Sequence, residues 1–100
     1  MKKRFIILLE KSAPVFSNAF IAYVEVKGWG FWHWFPDSFL IVDNSGTTTL
    51  EALRDDVRKH FPNSFNLVVE VPRNGGNWAG FGPNTPSNDM AAWLRQVWNP

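Results

Sequence analysis

One hundred residues, 45% apolar and 19% charged, describe a single globular domain (residues 1–100), because this balance is neither a disordered chain's nor a membrane protein's. A formal net charge of +1 gives no field strong enough to gather a nucleic-acid backbone. The absence of cysteine removes disulfide scaffolds, thiolate metal sites and cysteine nucleophiles, and fits a reducing, cytoplasmic setting.

The chain starts Met1-Lys2-Lys3-Arg4 and runs into Phe5-Ile6-Ile7-Leu8-Leu9. This imitates the start of a secretion signal, but the apolar run is five residues and stops at Glu10-Lys11, short of the roughly 7–15 such a signal needs. A buried first strand, covered on both faces, is the better reading. Lys2, Lys3 and Arg4, like Arg54, Arg58 and Lys59, read as solvated surface or as a small phosphate footprint.

Ser12-Ala13-Pro14 reads as a helix start, with Ser12 as cap and Pro14 in the first turn. Val15 to Lys27 fits either period. A helix aligns Phe16, Phe20, Tyr23, Val24 and Lys27, whereas a strand puts Phe20, Ala22, Val24 and Val26 on one face. Gly28, where a C-terminal cap belongs, favours the helix. Half of the twelve residues from Gly28 to Phe39 are aromatic, far beyond the density elsewhere in the chain. Trp29 to Phe35 is expected to form the second strand. Pro36-Asp37-Ser38 turns it into an antiparallel partner, Phe39-Leu40-Ile41-Val42.

After the Asp43-Asn44-Ser45-Gly46 turn, Thr48 and Glu51 have capping-box spacing, and Leu50, Leu53, Val57 and Phe61 form a helical apolar stripe ended by Pro62. Phe65 to Val71 reads as a strand with Leu67, Val69 and Val71 on one face. Asn74-Gly75 signals a hairpin, with Asn77 to Phe81 as a short return strand and Gly82 to Ser87 as a loop. A last helix capped by Ser87 or Asn88 carries Met90, Trp93, Leu94, Val97 and Trp98 on a core-facing stripe. The order predicts an α+β fold: a ferredoxin-like β-α-β-β-α-β sandwich with a short extra hairpin strand and a C-terminal helix. Right-handed crossovers put both long helices on one face, leaving the other to the terminal helix or a second subunit.

The run Trp32-His33-Trp34-Phe35-Pro36-Asp37-Ser38-Phe39-Leu40-Ile41-Val42 resembles a W-H-x-x-x-D-S-(W/F)-L-I-V pattern of short bacterial proteins labelled SinR-like. Leu53-Arg54-Asp55, Leu67-Val68-Val69-Glu70-Val71, Asn77-Trp78-Ala79-Gly80 and Ala92-Trp93-Leu94 follow in that family's order, over roughly residues 28–98. The resemblance implies kinship with CRISPR-associated adaptation subunits and VapD ribonucleases, which are ferredoxin-like homodimers with an acidic residue ending the first strand. This chain carries Leu9-Glu10 where SinR-like members usually have Tyr-Asp.

Candidate chemistry follows from both sources. Glu10 reads as a surface acid or, facing its copy across a dimer, as half of a hard-cation site. His33 and Asp37 could make a general-base pair or simply fix the hairpin, and His60 suits the end of its helix. The glycine-rich segment 75–82 lacks the Gly-Lys-Ser/Thr ending of a phosphate loop and reads as hairpin and loop. Trp29, Trp32, Trp34 and Trp78, with Arg73 or Lys27 for a phosphate, could stack on bases or close a dimer. The leading expectation is a homodimeric binding or assembly module of bacterial or phage origin, with nucleotide or nucleic acid as non-protein ligand, no membrane partner and no cofactor. The alternatives are a nuclease related to CRISPR adaptation subunits, for which alone magnesium would be needed, and a protein-binding inhibitor or antitoxin.

Overall fold

The computed structural model describes residues 2–72 and 76–99. Lys3–Leu9 forms strand β1, and Pro14–Lys27 forms helix α1, settling the ambiguous period as helical. The cap differs from expectation. Ala13 holds the N-cap position with no side-chain hydrogen bond, because the Ser12 hydroxyl donates instead to the Pro36 carbonyl and to Asp37 Oδ1. Gly28 ends the helix at φ 73°, with its N–H on Glu25 O and the Trp29 N–H on Val24 O, a Schellman closure that needs glycine's left-handed freedom.

The expected second strand shrinks to Gly30–Trp32 (β2), which pairs antiparallel with Ser38–Asp43 (β3) through Phe31 opposite Ile41. Helix α2 spans Leu50–His60. Its cap lies one residue later than the spacing of Thr48 and Glu51 suggested: Thr49 Oγ1 accepts from Ala52 N at 3.2 Å. Thr48 is engaged elsewhere, its N–H donating to Asp43 Oδ2 at 3.0 Å. Asn66–Val71 forms β4.

Residues 77–81 form no strand, contrary to the hairpin reading, and Asn74-Gly75 lies outside the described residues. The added ladder is instead Asn84–Thr85 (β5) with Asn88–Asp89 (β6). The last helix is a single α-turn, Met90–Trp93 (α3), capped by Asp89 rather than Ser87 or Asn88, which widens into a π-turn over Leu94–Trp98.

The molecule is α+β, with a four-stranded antiparallel sheet in the order β2-β3-β1-β4. Strand alternation divides its side chains between two faces. Phe5, Ile7 and Leu9 of β1, Phe39 and Ile41 of β3 and Val68 of β4 meet Phe20 and Val24 of α1 and Leu53 and Val57 of α2 in the main core. On the reverse face Trp32 and Val42 pack with Met90, Leu94 and Trp98. The terminal turn thus covers part of the second face, as one of the two expected covers. It comes so close that a Cβ at Gly30 would stand 2.9 Å from Val97 Cγ1, so any larger residue there would push Val97 aside.

Candidate functional site

The aromatic run does not act as one platform; the pleat distributes it. Trp29 and Phe31 pack on the helix side. There the Trp29 ring meets Tyr23 edge-on at 5.9 Å, and Lys27 Nζ stands 6.0 Å from its centroid. Trp32 is buried on the reverse face, edge-on to Phe35 at 5.1 Å. Only Trp34 and Phe35, at 47% and 51% exposure, show substantial surface. Trp78 is partly exposed and anchored by Nε1–H to Asn99 Oδ1 at 3.0 Å. Arg73 lies outside the described residues.

The candidate catalytic residues are kept apart. The His33 ring stacks on Phe39 at 3.8 Å and 7°, and its Nδ1 sits 2.9 Å from the Ser38 carbonyl. Asp37 accepts from Ser12 instead, so the two side chains do not form a hydrogen-bonded pair. His33 thus holds the hairpin through the Ser38 carbonyl, while Asp37 ties it to the Ser12 that precedes α1, so neither makes the mutual bond expected of the pair. Glu10 is exposed; its Oε1 accepts from Phe65 N at 3.4 Å, beside a shallow depression that Arg54 and Arg58 also line. No group of three or more His, Cys, Asp or Glu able to hold a metal occurs among the described residues. His60 is structural: its Nδ1 is 2.8 Å from the Asp56 carbonyl and its ring packs against Tyr23 and Phe20.

The amino-terminal basic triplet is used inside the fold. The Arg4 side chain is buried and donates through Nε to the Trp98 carbonyl. Lys2 Nζ reaches the Asn99 carbonyl at 2.8 Å, and Lys3 Nζ the Thr48 carbonyl at 2.9 Å. Cations at the carbonyl end of the terminal turn satisfy acceptors that end no ladder of their own.

Two acidic side chains carry the clearest electrostatics. Burial alone would push the Asp43 carboxyl up, but Ser45 and Thr48 outweigh it, donating through the Ser45 hydroxyl and both backbone N–H groups; its pKa falls to about 2. Burial, followed by the hydrogen bond and charge of Asp56 at 2.6 Å, pushes the Tyr23 hydroxyl up to about 12. Both groups fix structure, one in the β3–α2 turn and the other between α1 and α2.

What remains open is the far half of the reverse face. Register places Ile6 beside Leu40 and Val69, and Leu8 beside Ser38 and Leu67. The cluster under the terminal turn takes in Ile6 and Leu40 but none of Leu8, Leu67 or Val69. Leu8, Leu67 and Val69 are 45%, 58% and 41% exposed, and Phe65, just before β4, is 81% exposed. A groove of about 410 Å³ runs on from it, lined by Ile6, Leu40 and Val71 of the sheet and by Phe35, Trp78 and Phe81. No protein-family model, curated protein or solved structure matches this chain.

None of Leu8, Phe65, Leu67, Val69 or Phe81 was singled out by sequence as a site residue. The signal was present in the alternation of Leu67, Val69 and Val71, but an apolar face reads the same whether a helix covers it or nothing does. The described helices include none long and apolar enough to cross a membrane.

Proposed function

We propose that this chain is a non-catalytic binding and assembly module of ferredoxin-like fold, which associates with a second copy of itself through the open half of its sheet. One observation carries the reading: Leu8, Leu67 and Val69 are adjacent in register, all apolar and all uncovered. Water-exposed apolar patches of this kind on a small domain mark partner surfaces. Support for the fold assignment comes from the strand order, which from the other edge runs β4-β1-β3-β2, and from α1 and α2 packing on one face. The SinR-like kinship, and with it a bacterial or phage origin, belongs to the same proposal.

Base stacking has less to stand on, since Trp29 and Trp32 are used in packing and Trp34, Phe35 and Trp78 are the rings still open. The test is light scattering over a concentration series. Wild type should show a monomer–dimer equilibrium, and Val69→Lys, which sets a charge in the apolar half-face that a dimer would close, should remain monomeric. A wild-type protein that stays monomeric throughout, or a Val69→Lys dimer of unchanged affinity, contradicts the proposal.

A further inference from the structure

The open half-face ends at an open edge. Strand β4 pairs with β1 on one side, and among the described residues no strand pairs with it on the other. Glu10 N donates to the Phe65 carbonyl at 3.0 Å, so Phe65 points its backbone groups toward β1. In an antiparallel ladder hydrogen-bonded and non-bonded residues alternate. The N–H and C=O groups of Asn66, Val68 and Glu70 therefore point outward, along a strand of six residues. Protected edges carry lysine, proline or a bulge, or are very short. The sequence Asn66-Leu-Val-Val-Glu-Val71 contains one charge, Glu70, and no lysine or proline, and its register with β1 runs without a bulge. The opposite edge, β2, is guarded by being only three residues long and by the terminal turn at Gly30.

We infer that two copies join by pairing their β4 strands antiparallel about a two-fold axis at Val68, making one eight-stranded sheet. The inference rests on the self-association proposed above and specifies where it occurs. Of the registers open to outward-facing residues, this one uses all three on both strands: Val68 opposite the partner's Val68, and Asn66 opposite the partner's Glu70. The reverse face is then self-complementary. Phe65 meets the partner's Val71, and Leu67 meets the partner's Val69, each pair occurring twice. These are aromatic–β-branched and aliphatic pairs of the kind that stabilise sheets. They cover the three most exposed apolar side chains of this edge, Phe65, Leu67 and Val69. On the helix face Glu70 arrives over the partner's Asn66, beside a depression lined by both Glu51 and Arg54, the latter already paired with Asp55. A register shifted by one step would set the Glu70 carboxylate against the partner's Val68, which is only 9% exposed, and leave outward groups unpaired.

A chain without cysteine gives a clean test of register. Leu67→Cys and Val69→Cys are prepared separately, and the wild type is followed in parallel by light scattering. In this pairing residues 67 and 69 of opposite copies form a non-hydrogen-bonded pair with Cα atoms about 4.5 Å apart, inside disulfide range. Mixing the two variants under mild oxidation should give a covalent heterodimer, and either variant alone should give almost none. Leu67→Cys cross-linking readily to itself overturns the register. A dimeric wild type whose variants do not cross-link on mixing overturns the β4 interface while leaving self-association standing. A monomeric wild type overturns both. A second variant, Glu70→Pro, removes an outward N–H without touching the pairing with β1. It should weaken the dimer by roughly tenfold to a hundredfold, two ladder bonds being lost per dimer, with unchanged far-ultraviolet circular dichroism. Unchanged dimer affinity in Glu70→Pro would also overturn the inference.

Discussion

The two faces of the sheet are built from the same strands and finished differently. The helix face is closed by α1 and α2, whose Phe20, Val24, Leu53 and Val57 are fully buried against Phe5, Ile7 and Ile41. The reverse face has for cover one α-turn and one π-turn, Met90–Trp98, whose cluster holds Trp32 and Val42 and takes in Ile6, Leu40 and Val71 but not Leu8, Leu67 or Val69. Nine residues of helix are too few to roof four strands at 1.5 Å of rise per residue. The difference teaches that stability and association are assigned to opposite sides of one sheet: the first face holds the domain together, and the second is left partly wet for a partner.

Breaking the closed face should have the largest effect. Phe20 touches Phe39, Phe61, Tyr23 and His60 through its ring, at centroid distances of 5.1 to 6.1 Å. Phe20→Ala should cost about 3–5 kcal/mol, read from urea denaturation, and unfold the domain as a whole. The half-covered face should yield locally. Arg4→Met removes the buried charged donor to the Trp98 carbonyl and should cost about 1.5–3 kcal/mol. Trp32 and Trp98 lie in the cluster beneath the terminal turn, with Trp93 packed against it, so tryptophan emission should change before far-ultraviolet circular dichroism does.

The smallest effect sharpens the comparison through pH. Asp43 lies at the end of β3, and its pKa is lowered from 3.8 to about 2 in the folded chain. A depressed carboxylate contributes stability that is present above its unfolded value near 3.8 and lost as the pH falls toward 2. The contribution should be about 2 kcal/mol at neutral pH. In Asp43→Asn the stability difference from wild type should shrink between pH 4 and pH 2, which acid titration of the melting temperature would show.

Much of this was legible wherever one local rule decided the outcome. The Leu53–Val57 stripe and the terminal stripe of Met90, Leu94 and Trp98 appear where periodicity placed them, and Gly28 closes α1 where its cap signal stood; the hairpin was also legible, though its first strand is shorter than expected. Side chains with two competing partners were misread. Ser12 prefers Asp37 to its own helix, and Thr48 is turned toward Asp43, so the cap passes to Thr49. Lys2, Lys3 and Arg4 looked like solvated surface because the carbonyls they reach lie 45 to 97 residues away. Residues 77–81 alternate too weakly to make a strand, and Gly80 and Gly82 instead lie close against Met90. The open surface escaped notice because β4's alternation shows an apolar face, while its place at the sheet edge is a property of the whole topology.

The most direct test of the account is hydrogen exchange at the amides of Asn66, Val68 and Glu70 over a concentration series. These three N–H groups face away from β1, and no strand among the described residues pairs with them, so a partner strand would protect them. The account predicts that their exchange slows as the protein concentration rises, while the amides of Leu67 and Val69, already bonded to β1, hold steady. Fast exchange at Asn66, Val68 and Glu70 at every concentration would contradict it.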